Sequence, residues 1–150
     1  MATVYGNALF PVGSGTPNGV ENANVWQYNA VAVVSGTKIQ MSQLPGEAIP
    51  QFTTLLGMNL VVSAANTAAA NVDVGYAAVD GDVTTTGATD LTYFANALDV
   101  HTAGNYGRKS TNTNVPRNIP KDAYPVITTH GATMTALLTL TITSRYDGSP

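Results

Sequence analysis

The stretch Ala136-Leu137-Leu138-Thr139-Leu140-Thr141-Ile142-Thr143-Ser144-Arg145-Tyr146 decides how the rest of the chain is read. Leu138, Leu140 and Ile142 alternate with Thr139, Thr141 and Thr143, and successive side chains of a β-strand point to opposite faces. One face is apolar and suits a core. The other is hydroxylated and suits water or a partner. The pattern predicts a strand over 136–146.

The same device recurs upstream. Met58, Leu60 and Val62 alternate with Asn59, Val61 and Ser63, and Val72, Val74 and Tyr76 alternate with Asn71, Asp73 and Gly75. Strands over 51–64 and 71–79 follow, and the Ala-rich link 64–70 predicts that they are antiparallel neighbours. Val25 to Val34 is rich in β-branched and aromatic residues and closes at the turn signal Ser35-Gly36. A half-exposed strand is expected from Lys38 to Leu44, ending at Pro45-Gly46, and the stretch Tyr124 to Thr129 runs to a turn at His130-Gly131. Leu91, Phe94, Ala95 and Leu98 fall on one helical face behind Asp90, a good N-cap, so a short helix is expected near 90–98.

Two stretches break these rhythms. Residues 1–24 hold Gly6, Pro11, Gly13, Gly15, Pro17 and Gly19, which predicts an extended N-terminal arm ahead of one β-sandwich domain at 25–150. Val4, Tyr5, Leu9 and Phe10 suit that arm to docking, either on its own domain or as a strap over a neighbouring subunit. Residues 101–123 form a long polar loop carrying Arg108, Lys109, Arg117 and Lys121, four of the six basic residues. It is either a solvated loop or a contact for an acidic surface. Many short strands, one brief helix and no strand–helix rhythm predict an all-β fold, a jelly roll or related β-sandwich.

Composition narrows the function. Charged residues make up 10% of the 150-residue chain and the net charge is -3, while 44% of residues are hydrophobic. Such a chain folds, and its weakly charged surface does little to keep copies apart. Six Lys and Arg without a basic run leave no footing for phosphate-backbone binding, so nucleic acid is not expected as a partner. Absence of cysteine removes disulfides, thiolate nucleophiles and cysteine-based metal sites. No apolar run approaches the roughly 20 residues of a membrane helix, and the start lacks the pattern of a secretory signal, so no membrane association is expected.

Motifs for chemistry are weak. Asp80-Gly81-Asp82 has the start of a calcium loop, but Thr84, Thr85 and Thr86 stand where further ligands belong, so a plain turn is expected. His101 and His130 have no metal-ligand spacing. No Gly-x-Ser-x-Gly elbow marks a nucleophile, and no spacing selects a carboxylate pair. Catalytic, cofactor-binding and metal residues are therefore not expected, and an enzyme is not predicted. Trp26, Tyr28, Tyr76, Tyr93 and Phe94 suit a core, a subunit contact or a stacking surface for sugars or bases.

Three stretches taken together resemble small tailed-phage virion proteins. They are Lys38-Ile39-Gln40-Met41-Ser42-Gln43-Leu44-Pro45 leading to Ile49-Pro50, then Leu60-Val61-Val62-Ser63 running into Val72-Asp73-Val74-Gly75-Tyr76, and the terminal Leu138 to Ile142 strand ending near Tyr146. Asp90 to Phe94 is similar to a further recurring segment, and the likeness spans about 38–146. The resemblance implies the jelly-roll type of head decoration, or cement, protein. Such a protein sits on the capsid exterior, binds the major capsid protein and is commonly a homotrimer. It carries no catalytic residues or cofactor. Candidate interface residues on this reading are Tyr5, Leu9, Phe10, Trp26, Arg108, Lys109 and Arg117. The alternative is a tail-fibre or head-fibre module that binds a host glycan through exposed Trp26 or Tyr93.

Overall fold

Threonine–aliphatic alternation produces the strand it predicts: Leu137–Tyr146 is extended, with Leu138, Leu140 and Ile142 at most 1% exposed. The computed structural model describes residues 2–8, 21–109 and 116–148, with the backbone alone at Pro45, Arg108 and Lys109. In chain order the strands are β1 (Thr3–Tyr5), β2 (Asn7–Ala8), β3 (Glu21–Asn29), β4 (Lys38–Gln40), β5 (Thr53–Val62), β6 (Asn71–Ala78), β7 (Asp90–Asp99), β8 (Gly104–Lys109), β9 (Arg117–Asn118), β10 (Ala123–His130) and β11 (Leu137–Tyr146). A single 3-10 turn at Pro45–Glu47 is the only helical element among the described residues.

The strands form two sheets. One has the order β1-β4-β10-β6-β7, the other β2-β3-β11-β5-β8 with β9 beside β5. Setting aside β1, β2 and β9, every connection except β6–β7 passes from one sheet to the other. First, eighth, third and sixth strands thus share one sheet, and second, seventh, fourth and fifth the other, which is the jelly-roll arrangement of two Greek keys. Pairing is antiparallel except between β1 and β4.

Register places the apolar rows opposite one another. Leu140 lies between Trp26 of β3 and Leu60 of β5, and Leu138 lies between Tyr28 and Val62. These face Ile39, Val72, Val74, Tyr76 and Ile127 of the other sheet in one core. Burying each such aliphatic side chain stabilises the fold by about 1.5–3 kcal/mol.

Several expectations are corrected. Residues 90–98 are strand, not helix. Tyr76 pairs with Asp90, Val74 with Ala95 and Val72 with Leu98, so β7 bulges twice against β6. Extra residues in a bulge lengthen the spacing between inward side chains, and the result imitates a helical stripe. Gly75 makes the first bulge possible, because a Cβ there would lie 2.0 Å from the Asp90 carbonyl oxygen and 2.4 Å from the Leu91 carbonyl carbon.

Strands β5 and β6 are not neighbours either; the 63–70 link carries the chain across to the other sheet. Periodicity identifies an inward row but not the strand beside it. The 101–123 stretch is not one loop, since it contains β8 and β9, and Tyr106 packs against the core. The run Ala30 to Val34 leaves the sheet at Asn29, and Val31 and Val34 are 76% and 59% exposed.

The start of the chain is built into this domain. Strand β1 extends one sheet and β2 the other, so residues 3–8 close one edge of the sandwich. Gly6 lies at the crossing. Its N–H donates to the Gln40 carbonyl at 2.8 Å, and a Cβ there would be 2.6 Å from the Gln27 carbonyl oxygen. Strand β3 begins at Glu21, so an arm ending at residue 24 would cut through it.

Candidate functional site

The two ends of the sandwich differ in chemistry. At one end lie the 41–52, 79–89 and 119–122 connections with β9 and the start of β7, and here charge collects. Lys121 Nζ is 2.7 Å from both Asp80 and Asp82. Asp82 also accepts from the Thr84 and Thr85 backbone N–H groups and from both hydroxyls. Lys121, then the Thr85 hydroxyl, hold its carboxyl far below the usual carboxylate range. The Asp80-Gly81-Asp82 turn is therefore a carboxylate pair closed on a lysine. Among the described residues no cluster of three or more His, Asp or Glu side chains could hold a metal ion.

Arg117 closes the same end between the sheets. Its Nη1 donates to Asp90 at 2.8 Å and to the Tyr76 hydroxyl at 3.0 Å, and its guanidinium lies 4.8 Å over the Tyr93 ring. The Tyr76 hydroxyl donates onward to the Gly87 carbonyl at 2.9 Å, and the Arg117 N–H donates to the Tyr93 hydroxyl at 3.0 Å. Tyr76, Tyr93 and Phe94 stack edge to face below this clasp.

The opposite end is made by the loops 30–37, 63–70, 100–103 and 131–136. None of the four contains Asp, Glu, Lys or Arg. Asn66 ties three of them together. Its N–H donates to the His101 carbonyl at 2.9 Å, its Nδ2 to the Val100 carbonyl at 3.0 Å, and its Oδ1 accepts from the Thr135 N–H at 3.0 Å. The 30–34 segment is bound to 134–136 through reciprocal Val33–Met134 bonds and the Ala30 N–H. Loops held this way are set in shape before anything touches them.

Two alanines of this end sit in the left-handed region, Ala32 at φ 54° and Ala69 at φ 77°. Each costs about 1–2 kcal/mol that a glycine would avoid. The nearest charges stand on the flanking strands: Lys38, Asp73, whose carboxylate lies 2.8 Å from His130 Nε2, and Asp99, 2.6 Å from His101 Nδ1. An open groove of about 440 Å³ runs along residues 95–99 beside His101, Thr102 and Tyr106, and its one acidic group is already paired with that histidine.

The sequence-derived interface residues do not gather in one place. Tyr5 is half exposed on edge strand β1. Leu9 and Phe10 lie outside the described residues. Arg108 and Lys109 pair through their backbones with Met58 and Gly57 of β5. Arg117 is engaged in the clasp. Trp26 is fully buried, with Nε1 donating to the Glu47 carbonyl at 3.2 Å, so it offers no surface to a partner. Tyr93 is buried as well, which removes the aromatic platform on which glycan stacking depended. Sequence reasoning missed the Asn66 hub and the uncharged end. The run of small neutral residues at 63–70 was the available signal.

No family model matches the sequence, and no curated protein does. Solved structures do match the fold. A chain from the capsid of Ralstonia phage GP4 superposes with a TM-score of 0.66 at 14% identity, covering 94% of this chain and 92% of that one. A chain from the cyanophage Pam1 capsid asymmetric unit gives 0.59 at 9% identity, covering 91% of each. One from the acid-stable capsid of Helicobacter pylori bacteriophage KHP30 gives 0.54 at 13% identity, covering 88% of this chain and 92% of that one. At these identities the likeness is one of fold.

Proposed function

We propose that the chain is a non-enzymatic structural protein of a tailed-phage virion that decorates the outside of the head, binding the major capsid protein and copies of itself as a trimer. The observation that carries this reading is the match in length as well as fold. A jelly roll with the two-sheet strand order found here superposes over most of its length on chains of similar extent in three phage capsids.

Physical chemistry supports the role. A decoration protein adds buried area across joints between capsomers, so internal pressure must break more contacts before the shell opens. A trimer gripping several sites holds far better than one grip. Low charge and preformed loops favour both contacts. The fibre-module alternative loses its basis with Trp26 and Tyr93 buried.

The test is co-sedimentation of purified chain with empty capsids assembled from the major capsid protein of the same phage, followed by cryo-microscopy and heat challenge. Saturable binding, density on the outer surface and raised heat resistance are expected. A chain that stays in the supernatant at every concentration overturns the proposal.

A further inference from the structure

We infer that the uncharged end, presenting Val31 and Val34 from the 30–37 loop and, across the 131–136 loop, the 63–70 loop, is the surface through which copies of this chain pack against one another. The inference deepens the proposed function, on which its biological setting rests, by naming the surface of self-contact.

Charge selects the occupant. A partner with charged groups would have to strip water from them, and the four loops hold no Asp, Glu, Lys or Arg to pair with them. The surface that fits without that cost is another neutral one, and a second copy carries the same neutral end. Ends of the strand body are about 33 Å apart, taking ten residues at about 3.3 Å each. Copies meeting at the neutral ends keep their Asp80, Asp82, Asp122 and Asp147 groups well beyond the roughly 8 Å screening length at physiological salt. Contact through the charged ends would bring those carboxylates together in a chain whose net charge is -3.

Exposed apolar side chains occur at both ends, but in different company. Val83 is 78% exposed at the charged end, in the same turn as Asp80 and Asp82. Val31 and Val34 share their end of the sandwich with Ala32, Ser35, Ala64, Ala65 and Ala68, all exposed and neutral. Side chains this short lose little rotamer freedom on contact.

Area sets the strength. Five strands at about 4.8 Å and two layers about 10 Å apart, with their side chains, give an end of roughly 500 Å². A stable two-body interface takes about 800 Å² from each partner. Self-association is therefore weak in dilute solution, with dissociation constants on the order of tens of micromolar or above. It becomes strong when a shell holds the copies side by side.

Sedimentation velocity of the full chain, from micromolar to about millimolar and at low and high salt, tests this. Expected is concentration-dependent association that changes less than about twofold with salt, since the four loops that make the contact carry no Asp, Glu, Lys or Arg. The double variant Val31→Asp, Val34→Asp and, separately, Ala68→Asp should abolish it, while Val83→Asp should leave it intact. All four substitutions are at exposed positions, and thermal melts verify that each variant is folded. A chain monomeric throughout, association that salt dissolves, or loss with Val83→Asp alone would overturn the inference. So would capsid binding that needs Val31 and Val34 in a chain that never self-associates, because the occupant would then be the capsid protein. Self-association without capsid binding leaves the inference standing and removes the proposed function.

Discussion

Arg117, carried by β9 in one sheet, places its guanidinium 2.8 Å from the carboxylate of Asp90, which opens β7 in the other. Both side chains are about two-thirds buried, and the same guanidinium nitrogen binds the Tyr76 hydroxyl. The pair joins the two layers where the chain enters the bulged strand. Charge-assisted bonds of this kind contribute about 1.5–3 kcal/mol. Arg117→Met and Asp90→Asn should each lower stability in urea unfolding by about that amount. The double variant should lose clearly less than the sum, giving a coupling of about 1–2 kcal/mol. Additive losses would mean that the two groups act independently.

Gly75 lies where β7 bulges over β6, and no side chain fits there. Gly75→Ala must push back the Asp90–Leu91 backbone, which disturbs both the β6–β7 ladder and the Arg117 clasp. Overpacking of this sort costs about 1–3 kcal/mol. The loss should appear as a lower melting temperature, and Arg117→Met should cost less in the Gly75→Ala background. Gly46→Ala, at a position with open space around it, should be nearly silent.

Stability should fall at alkaline pH through Tyr76. Burial raises the pKa of its phenol above the ordinary value of 10.0, against the lowering effect of Arg117. In the unfolded chain the phenol ionises near that ordinary value, while the folded protein holds the proton. The stabilisation is thus full below about pH 10 and is lost as pH rises through the folded pKa. Tyr76→Phe should flatten the decline of urea midpoints between pH 9 and 11. Tyr124, whose phenol is also raised by burial, keeps part of the slope in that variant.

Asn66 holds three loops with one side chain and its own N–H. Asn66→Ala removes two of the three bonds and frees the Thr135 N–H, which is at the surface and can turn to water. Global stability should drop by only about 1 kcal/mol. The sharper readout is amide exchange: the Thr135 N–H should exchange much faster, while the amides of β10 and β11 keep their protection. Equal acceleration throughout the sheets would show that Asn66 supports the whole fold rather than its end.

Much of the fold was legible because strand formation follows a local rule. Leu138, Leu140 and Ile142 announce their inward face within five residues, and so do Val72, Val74 and Tyr76. The stretch 90–98 misleads for a related reason: its bulges replace the spacing of two with a spacing near that of a helix, and the residue that permits the first of them, Gly75, lies on another strand. The Arg117 clasp was hidden because its partners are separated from it by 27 and 41 residues. Trp26 suits a core or a subunit contact better than a stacking surface by residue type; the pairing of β3 between β2 and β11 and the packing of the second sheet over it place it in the core.

What the sequence by itself determined is the β character of the chain, the faces of its main strands, the scarcity of charge and the lack of material for a thiol or a basic nucleic-acid site. Those properties follow from side-chain chemistry and a two-residue period. Tertiary structure alone decided the jelly-roll strand order, the crossing at Gly6 and the gathering of four neutral loops at one end with the carboxylates at the other. Pairing partners are chosen by contacts between residues far apart in the chain, and those contacts exist only once the two sheets have closed on a common core.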